Sequence, residues 1–371
     1  MKSIYSLGLL FFLAVISQSC AQQNKNVTTP TSTGITVETV VDGFDIPWGI
    51  AFLPNGDLLV TEKSGILYRV NQGKKTEITG LPPIYQRGQG GLMDIKVHPK
   101  YKENGWIYIS YAKKAERESG GNTALMRFKL DGNKIVKKEP LFKALPNSND
   151  GRHFGSRIEF DREGYLFLSV GERGEWDNAQ LLTNHSGKIH RFNADGSIPK
   201  DNPFVDQADA MKSIYSYGHR NPQGLVLHPE TGDLWEHEHG PRGGDEVNII
   251  EKGKNYGWPV ITYGINYNGQ TISPNTEKEG LEQPILYWKP SIAPSGMAFI
   301  STDKYGDWKG DLLVGSLKFS YLNHCTVKDG KIVKQEKIVE NEGRVRDVKE
   351  SPDGTIYVAV ESGKILKLIK K

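Results

Sequence analysis

The chain has 371 residues, with 47 Lys and Arg against 44 Asp and Glu, for a formal net charge of +3. Acids and bases are interspersed along it, which argues against a nucleic acid as partner and makes any concentrated positive charge a local feature. Two cysteines, Cys20 and Cys325, provide no disulfide framework, so stability has to come from a packed core.

The N-terminus carries Lys2, an apolar run from Ile4 to Ile16, then small and polar residues up to Cys20 and Ala21. This is the pattern of a secretory signal over residues 1–21, and the run is shorter than the roughly 20 residues a helix needs to cross a bilayer. Two processing routes stay open. One is lipidation of Cys20, although Ser17 stands where such signals usually carry an aliphatic residue; the other is simple release after Ala21. Both imply export to the periplasm, with membrane attachment only through a lipid on Cys20. Residues 22–34 (QQNKNVTTPTSTG) are polar and lack a hydrophobic period, so they read as a tether, and one folded domain is expected over 35–371.

From residue 35 onward, strand-like runs recur after a Pro, Asp or Asn followed by Gly, which is turn chemistry and then a strand. One unit appears six times: FLPNGDLLVTEKSGILYRV from Phe52, VHPKYKENGWIYISYAK from Val97, FDREGYLFLSVGERG from Phe160, LHPETGDLWEHEHG from Leu227, STDKYGDWKGDLLVGSL from Ser301, and ESPDGTIYVAVESGKILKLI from Glu350. No long segment shows a helical period. Copies spaced by roughly 45 to 75 residues fit four-stranded propeller blades with variable loops. The prediction is an all-β chain, a six-bladed β-propeller of four-stranded antiparallel blades, whose loops at one mouth of the channel form the ligand site.

The candidate chemistry follows the same chain order. His153 precedes a strand in GRHFGSRIEF, and Glu172 ends the same hairpin in GERG. If the hairpin brings them together, Glu172 holds the imidazole tautomer and raises its basicity, which makes His153 a candidate general base. The plain alternative is a satisfied loop histidine, one of nine in the chain. Arg220 and Asn221, in YGHRNPQGL, combine a fork donor with an amide and suit a planar ligand bearing carbonyl and carboxylate oxygens; otherwise Arg220 pairs with an acid and Asn221 caps a turn.

In EHEHGPRGGDEVN, His237 and His239 would share one face of a strand beside Glu236 and Glu238, but no third zinc ligand is evident at usable spacing. Gly240 and Pro241 read better as a turn aiming its carbonyl oxygens at a hard cation such as calcium, with Asp245 and Glu246 close by. Late in the chain, Lys318 in GSLKFSYL and Arg344 with Arg346 in GRVRDV place three cations at strand edges of consecutive blades. Alternation puts both arginines on one face, away from Glu342 and Asp347, as would suit a polyanionic small molecule in the channel.

Together these segments resemble the soluble sugar dehydrogenases that depend on calcium and pyrroloquinoline quinone (PQQ), particularly the aldose sugar dehydrogenase branch of the glucose/sorbosone dehydrogenase family. The likeness runs from about Val37 to the C-terminus. It rests on FDIPWGIAFLPNGDLLVTE, GQGGLMDIKVHP, HFGSRIEF followed by LSVGERG, YGHRNPQGL, EHGPRGGDEVN with KNYGWP, PSIAPSGM, and SLK followed by GRVRDV, in that order. The resemblance implies that His153 takes the proton from the sugar's anomeric hydroxyl while hydride passes to the quinone carbon C5. It gives Glu172 the role of supporting that histidine and Arg220 that of stabilising the quinone oxygen that gains charge. Gln89, Arg220, Asn221, Lys318, Arg344 and Arg346 would contact the quinone, whose three carboxylates would account for the late basic cluster. Gly240 and Pro241 would supply carbonyl ligands to Ca2+.

The implied reaction turns an aldose into a lactone and passes electrons to an external acceptor. The stretch VITYGINYNG, after KNYGWP, does not reproduce the glucose-enzyme pattern for a second calcium, and the loops shaping the sugar pocket look shorter than in the glucose-specific branch, so broad aldose use is expected. A calcium-dependent propeller lactonase, using the same acids and histidines to activate water, is the alternative; it leaves the Lys318, Arg344 and Arg346 cluster unexplained. A binding propeller without chemistry is a third reading, in which His153 or Arg220 should be replaced, and both are present. Monomer and homodimer are both compatible with the sequence.

Overall fold

In the computed structural model of the chain, residues 34–370 are described. The signal and tether expected over residues 1–21 and 22–34 fall outside these residues except for Gly34. The described chain forms six four-stranded sheets, and every pairing within them is antiparallel. In five of them the four strands are consecutive in sequence. The sixth takes its outermost strand, Ile35–Val41, from the start of the folded chain and pairs it with Lys364–Lys370 at the end, Ile35 opposite Lys370. This is the expected six-bladed propeller, closed by its own two ends.

The innermost strands of blades 1 to 6 are Pro47–Phe52, Leu92–Val97, Ile158–Phe160, Pro222–Leu227, Pro294–Phe299 and Val345–Glu350. Each of the six repeated sequence units begins at or just beyond the end of one of them, so the repeat marks the hairpin from the innermost to the second strand. In blade 1 that hairpin is the Pro54-Asn55-Gly56 turn, where Leu53 N–H bonds Asp57 O at 2.8 Å and Gly56 takes the left-handed φ of 88°.

The apolar core lies between blades rather than on the axis. Blades 1 and 2 pack through Leu59, Leu67, Ile95 and Ile109; blades 3 and 4 through Phe167, Ile189, Leu225 and Leu234; blades 6 and 1 through Val41, Ile365, Ile50 and Val60. The remaining three interfaces have equivalent clusters. Each buried Leu, Ile or Val contributes about 1.5–3 kcal/mol relative to exposure, so the ring is held by six comparable seams.

The axis itself is polar. Arg157, just ahead of the innermost strand of blade 3, is 1% exposed and reaches across the channel. Its guanidinium donates to Gln223 O of blade 4 at 2.7 Å, to Asp347 Oδ1 of blade 6 at 2.9 Å and to Arg346 O at 3.0 Å, and lies 3.4 Å from Asp94 Oδ1 of blade 2. It also stacks 4.3 Å from the Trp48 ring centroid of blade 1. The two carboxylates are satisfied in turn: Ile50 N–H donates to Asp347 at 3.0 Å and Ile158 N–H to Asp94 at 2.8 Å. Register shifts in the innermost strands at Leu92/Ile95 and Val345/Asp347 are β-bulges that fall at these two acids.

Candidate active site

All six innermost strands start at the same mouth of the channel, where all six second strands end. The residues flanking these points are the ones that carry chemistry. Gln89, His153, Arg220, Asn221 and Arg344 lie just ahead of innermost strands, while Lys63, Glu172, His239, Lys318 and Glu361 lie one or two residues past the ends of second strands. Equivalent blade positions therefore converge on one opening.

His153 sits in a segment of unusual backbone: His153, Gly155 and Ser156 have φ of 55°, 63° and 89°, all left-handed. This turns the imidazole back toward the end of the neighbouring strand, where its Nδ1–H donates to Glu172 Oε1 at 2.7 Å. Gly171 allows the approach, since a Cβ there would lie 2.1 Å from His153 O. The other Glu172 oxygen accepts the Gly174 N–H, and Gln89 Oε1 accepts the His153 N–H at 2.8 Å. The imidazole is buried. Burial and then the charge of Arg220 hold its pKa below the usual histidine value, against the raising effect of Glu172. His153 is thus a neutral imidazole whose Nε2 has no hydrogen-bond partner among the described residues, which is the state a general base requires.

Beside it opens a cavity of about 340 Å³ lined by Trp48, Lys63, Gln89, Arg344, Arg346 and Glu361, among others. Arg344 Nε donates to Glu361 Oε2 at 2.5 Å, and Arg346 donates to the other oxygen at 3.0 Å through Nε. Three cations thus face the cavity against one carboxylate. Lys63 is half-buried there, and burial followed by the charge of Arg346 lowers its pKa. The structure therefore brings Gln89, Arg344 and Arg346 together as the sequence anticipates and adds Lys63, Glu361 and Trp48. Lys318 stands apart: Leu317 lines the cavity, but the Lys318 side chain is exposed, its ammonium 5.1 Å from the Phe319 ring.

Arg220 and Asn221 are buried behind the cavity wall. Arg220 donates to His239 O at 2.9 Å and to Gly240 O at 3.2 Å, and its guanidinium lies 5.2 Å from the Trp258 ring centroid. Arg220 Nε and Asn221 Nδ2 are buried donors without partners, the mark of a site completed by something else. A trianionic, planar PQQ fits this donor set. Lys63, Arg344 and Arg346 would hold its carboxylates, and the unpartnered donors of Arg220 and Asn221 could serve its other oxygens.

The Gly240-Pro241 turn folds so tightly that a Cβ on Gly240 would meet the Gly243 and Gly244 carbonyl oxygens at 2.3 Å. The oxygens crowded there are those of Gly243 and Gly244, while Gly240 O accepts from Arg220 at 3.2 Å. Asp245, however, is not free to join them. Its carboxylate accepts from Gly240 N–H at 2.9 Å, Ser291 O–H at 2.9 Å, Ile292 N–H at 2.7 Å and Ala293 N–H at 2.9 Å, so it braces the turn. Burial pushes its pKa up to about 6. His239 lines the cavity, its Nε2 2.5 Å from Pro294 O, and burial pulls its pKa down to about 3.

A sequence model described as glucose/sorbosone dehydrogenase matches residues 44–367. The aldose sugar dehydrogenase YliI of Escherichia coli K12 is 40% identical over 344 residues, covering 90% of this chain and 92% of that protein. Among solved structures, the apo-form of the soluble aldose sugar dehydrogenase of Escherichia coli superposes with a TM-score of 0.86 at 38% identity, over 91% of this chain and 100% of that one. The PQQ-bound aldose sugar dehydrogenase of Streptomyces coelicolor has a TM-score of 0.74 at 28% identity, over 90% and 98% of the two chains.

Proposed function

The chain belongs to the glucose/sorbosone dehydrogenase family, and on that premise we propose that it is an exported aldose dehydrogenase that uses PQQ and Ca2+ and passes electrons to an external acceptor. The observation that carries this reading is the pairing of a neutral His153 on Glu172, 2.7 Å apart, beside a cavity faced by Lys63, Arg344 and Arg346.

PQQ bound there with calcium would supply the two-electron acceptor that the protein's own side chains lack. The rest is done by the chain. Lys63, Arg344 and Arg346 hold carboxylates by charge-assisted hydrogen bonds, and Gly240 and Pro241 offer carbonyl oxygens to the cation. His153 Nε2 takes the proton of the anomeric hydroxyl, and Glu172, fixed on Nδ1, orients the ring and stabilises the imidazolium that results. Arg220 stabilises the negative charge that develops beside it, for which it must exchange its bond to Gly240 O.

The test is reconstitution of the purified protein with quinone and Ca2+, followed by reduction of an artificial dye with a panel of aldoses. Quinone binding by absorbance together with aldose-dependent dye reduction supports the reading. Failure of both removes it, and lactone hydrolysis without quinone would replace it by the hydrolase alternative. Export is proposed from residues 1–21 of the sequence, and cell fractionation with metabolic lipid labelling at Cys20 tests it.

A further inference from the structure

Blade 4 contains a second polar cluster, on the face of its second strand opposite His237 and His239. Glu236 and Glu238 project there, paired across the sheet with Asn248 and Glu246, and His219 joins them from the segment that enters the blade. One ligand atom from each of His219, Glu236 and Glu238 lies within 4.8 Å of the others. All three side chains are buried, His219 and Glu236 completely. Among the described residues, no lysine or arginine side chain pairs with either carboxylate; the ion-pair contact is His219 Nδ1 to Glu238 Oε1 at 3.4 Å. Two uncompensated buried carboxylates cost several kcal/mol each.

The hydrogen bonds show what is missing. His219 Nε2 lies 2.9 Å from Ser216 Oγ. With Nε2–H donated to that oxygen, Nδ1 presents a lone pair, and Nδ1 has no hydrogen-bond partner although it is buried beside a carboxylate. Glu236 Oε1 is likewise buried and unpartnered, while its other oxygen accepts from Asn248 Nδ2 at 3.2 Å. Lone pairs facing one another in a dry pocket repel unless a cation or a proton stands between them.

We infer that His219, Glu236 and Glu238 form a binding site for one divalent cation of borderline hardness, such as Zn2+ or Mn2+, separate from the carbonyl oxygens of Gly240 and Pro241. One neutral imidazole and two carboxylates balance the charge of the ion, and a mixed nitrogen and oxygen set favours these metals over calcium. Ser216 is the outer partner that fixes the imidazole tautomer. Glu238 Oε2 accepts the backbone N–H of Arg220, and that of Asn221 at 3.2 Å, so the ion would anchor the segment that carries both residues to the active site. The sequence alone points to the histidine face of this strand; the third ligand becomes visible only when folding brings His219 to the acid face. The competing arrangement is a proton on Glu236, which burial and then the charge of Glu238 favour.

The inference does not depend on the quinone reading, and its test omits quinone. Full-length protein is stripped with chelator, saturated with Ca2+ and titrated with Zn2+ or Mn2+ while bound metal and the unfolding temperature are followed; Glu236→Gln is treated alike. The expected result is one equivalent of metal per chain and a rise in Tm with metal, affinity at least about tenfold weaker in Glu236→Gln, and zinc-edge anomalous density among the three side chains. Equal affinity in wild type and Glu236→Gln, no Tm response to either metal, or density at another site overturns it. Should Glu236→Gln fail to fold, the wild-type anomalous map decides alone.

Discussion

A histidine that has to accept a proton is useful only while neutral, and His153 is kept neutral by burial and by Arg220 rather than by distance from acids. The sign of the pH dependence follows. A folded pKa below 6.5 means the base stays competent as pH falls through 6.5, so the acid limb of kcat/KM should lie below that value. Glu172→Gln removes a raising influence, so the limb should move to still lower pH while kcat falls by roughly tenfold or more. A pH–rate profile of both proteins checks this, and movement to higher pH would contradict it. His153→Ala should bind quinone with near-normal affinity yet lose about 10²–10⁴ in kcat. Lys63→Ala should weaken quinone binding by about tenfold, read by absorbance titration, with kcat at saturating quinone largely kept. His153 and Glu172 were legible because they flank a single hairpin. Lys63 and Glu361 were not, because a lone charge at a strand end looks like any solvated one; superposing the six repeated units would have exposed them, since both occupy the blade position of His239, one residue past a second strand.

Turns between strands were the readable elements, and turns are also where the site is made. Pro, Asp, Asn and Gly set hairpin geometry locally, so six copies of one hairpin could be counted without any long-range information. The left-handed run from His153 to Ser156 has no such signature, since only Gly155 of its three left-handed residues advertises that conformation. Gly171 matters for the same local reason. Gly171→Ala places a methyl 2.1 Å from His153 O and must displace it. Turnover should fall by about 100-fold, as expected for a misplacement of about 1 Å, while quinone affinity changes far less. Steady-state kinetics beside a quinone titration separates the two. Asp245, which looks free in the sequence beside Gly240 and Pro241, is the brace of that segment, because four donors saturate its carboxylate.

At the scale of the ring, the number of blades followed from the repeat, whereas nothing in the string of residues revealed how the blades meet on the axis. Arg157 is one arginine in GSRIEF, yet it contacts partners from four blades other than its own. Replacing it by Met leaves Asp94 buried without its cation and Asp347 with Lys349 alone, 3.8 Å away. Loss of one partner from such a buried pair costs about 3–5 kcal/mol, and urea denaturation should show that loss in Arg157→Met. A variant as stable as wild type would mean that the axial network contributes specificity rather than stability.

The pairing of Ile35 with Lys370 also has a consequence in time. Those residues are the far ends of the described chain, so the last seam cannot form until residue 370 has been made. Until then the growing chain is an open arc with an unpaired edge at each end, and such edges invite pairing with other chains. Residence in that open arc, more than the strength of the finished ring, should govern how much of the protein is recovered folded.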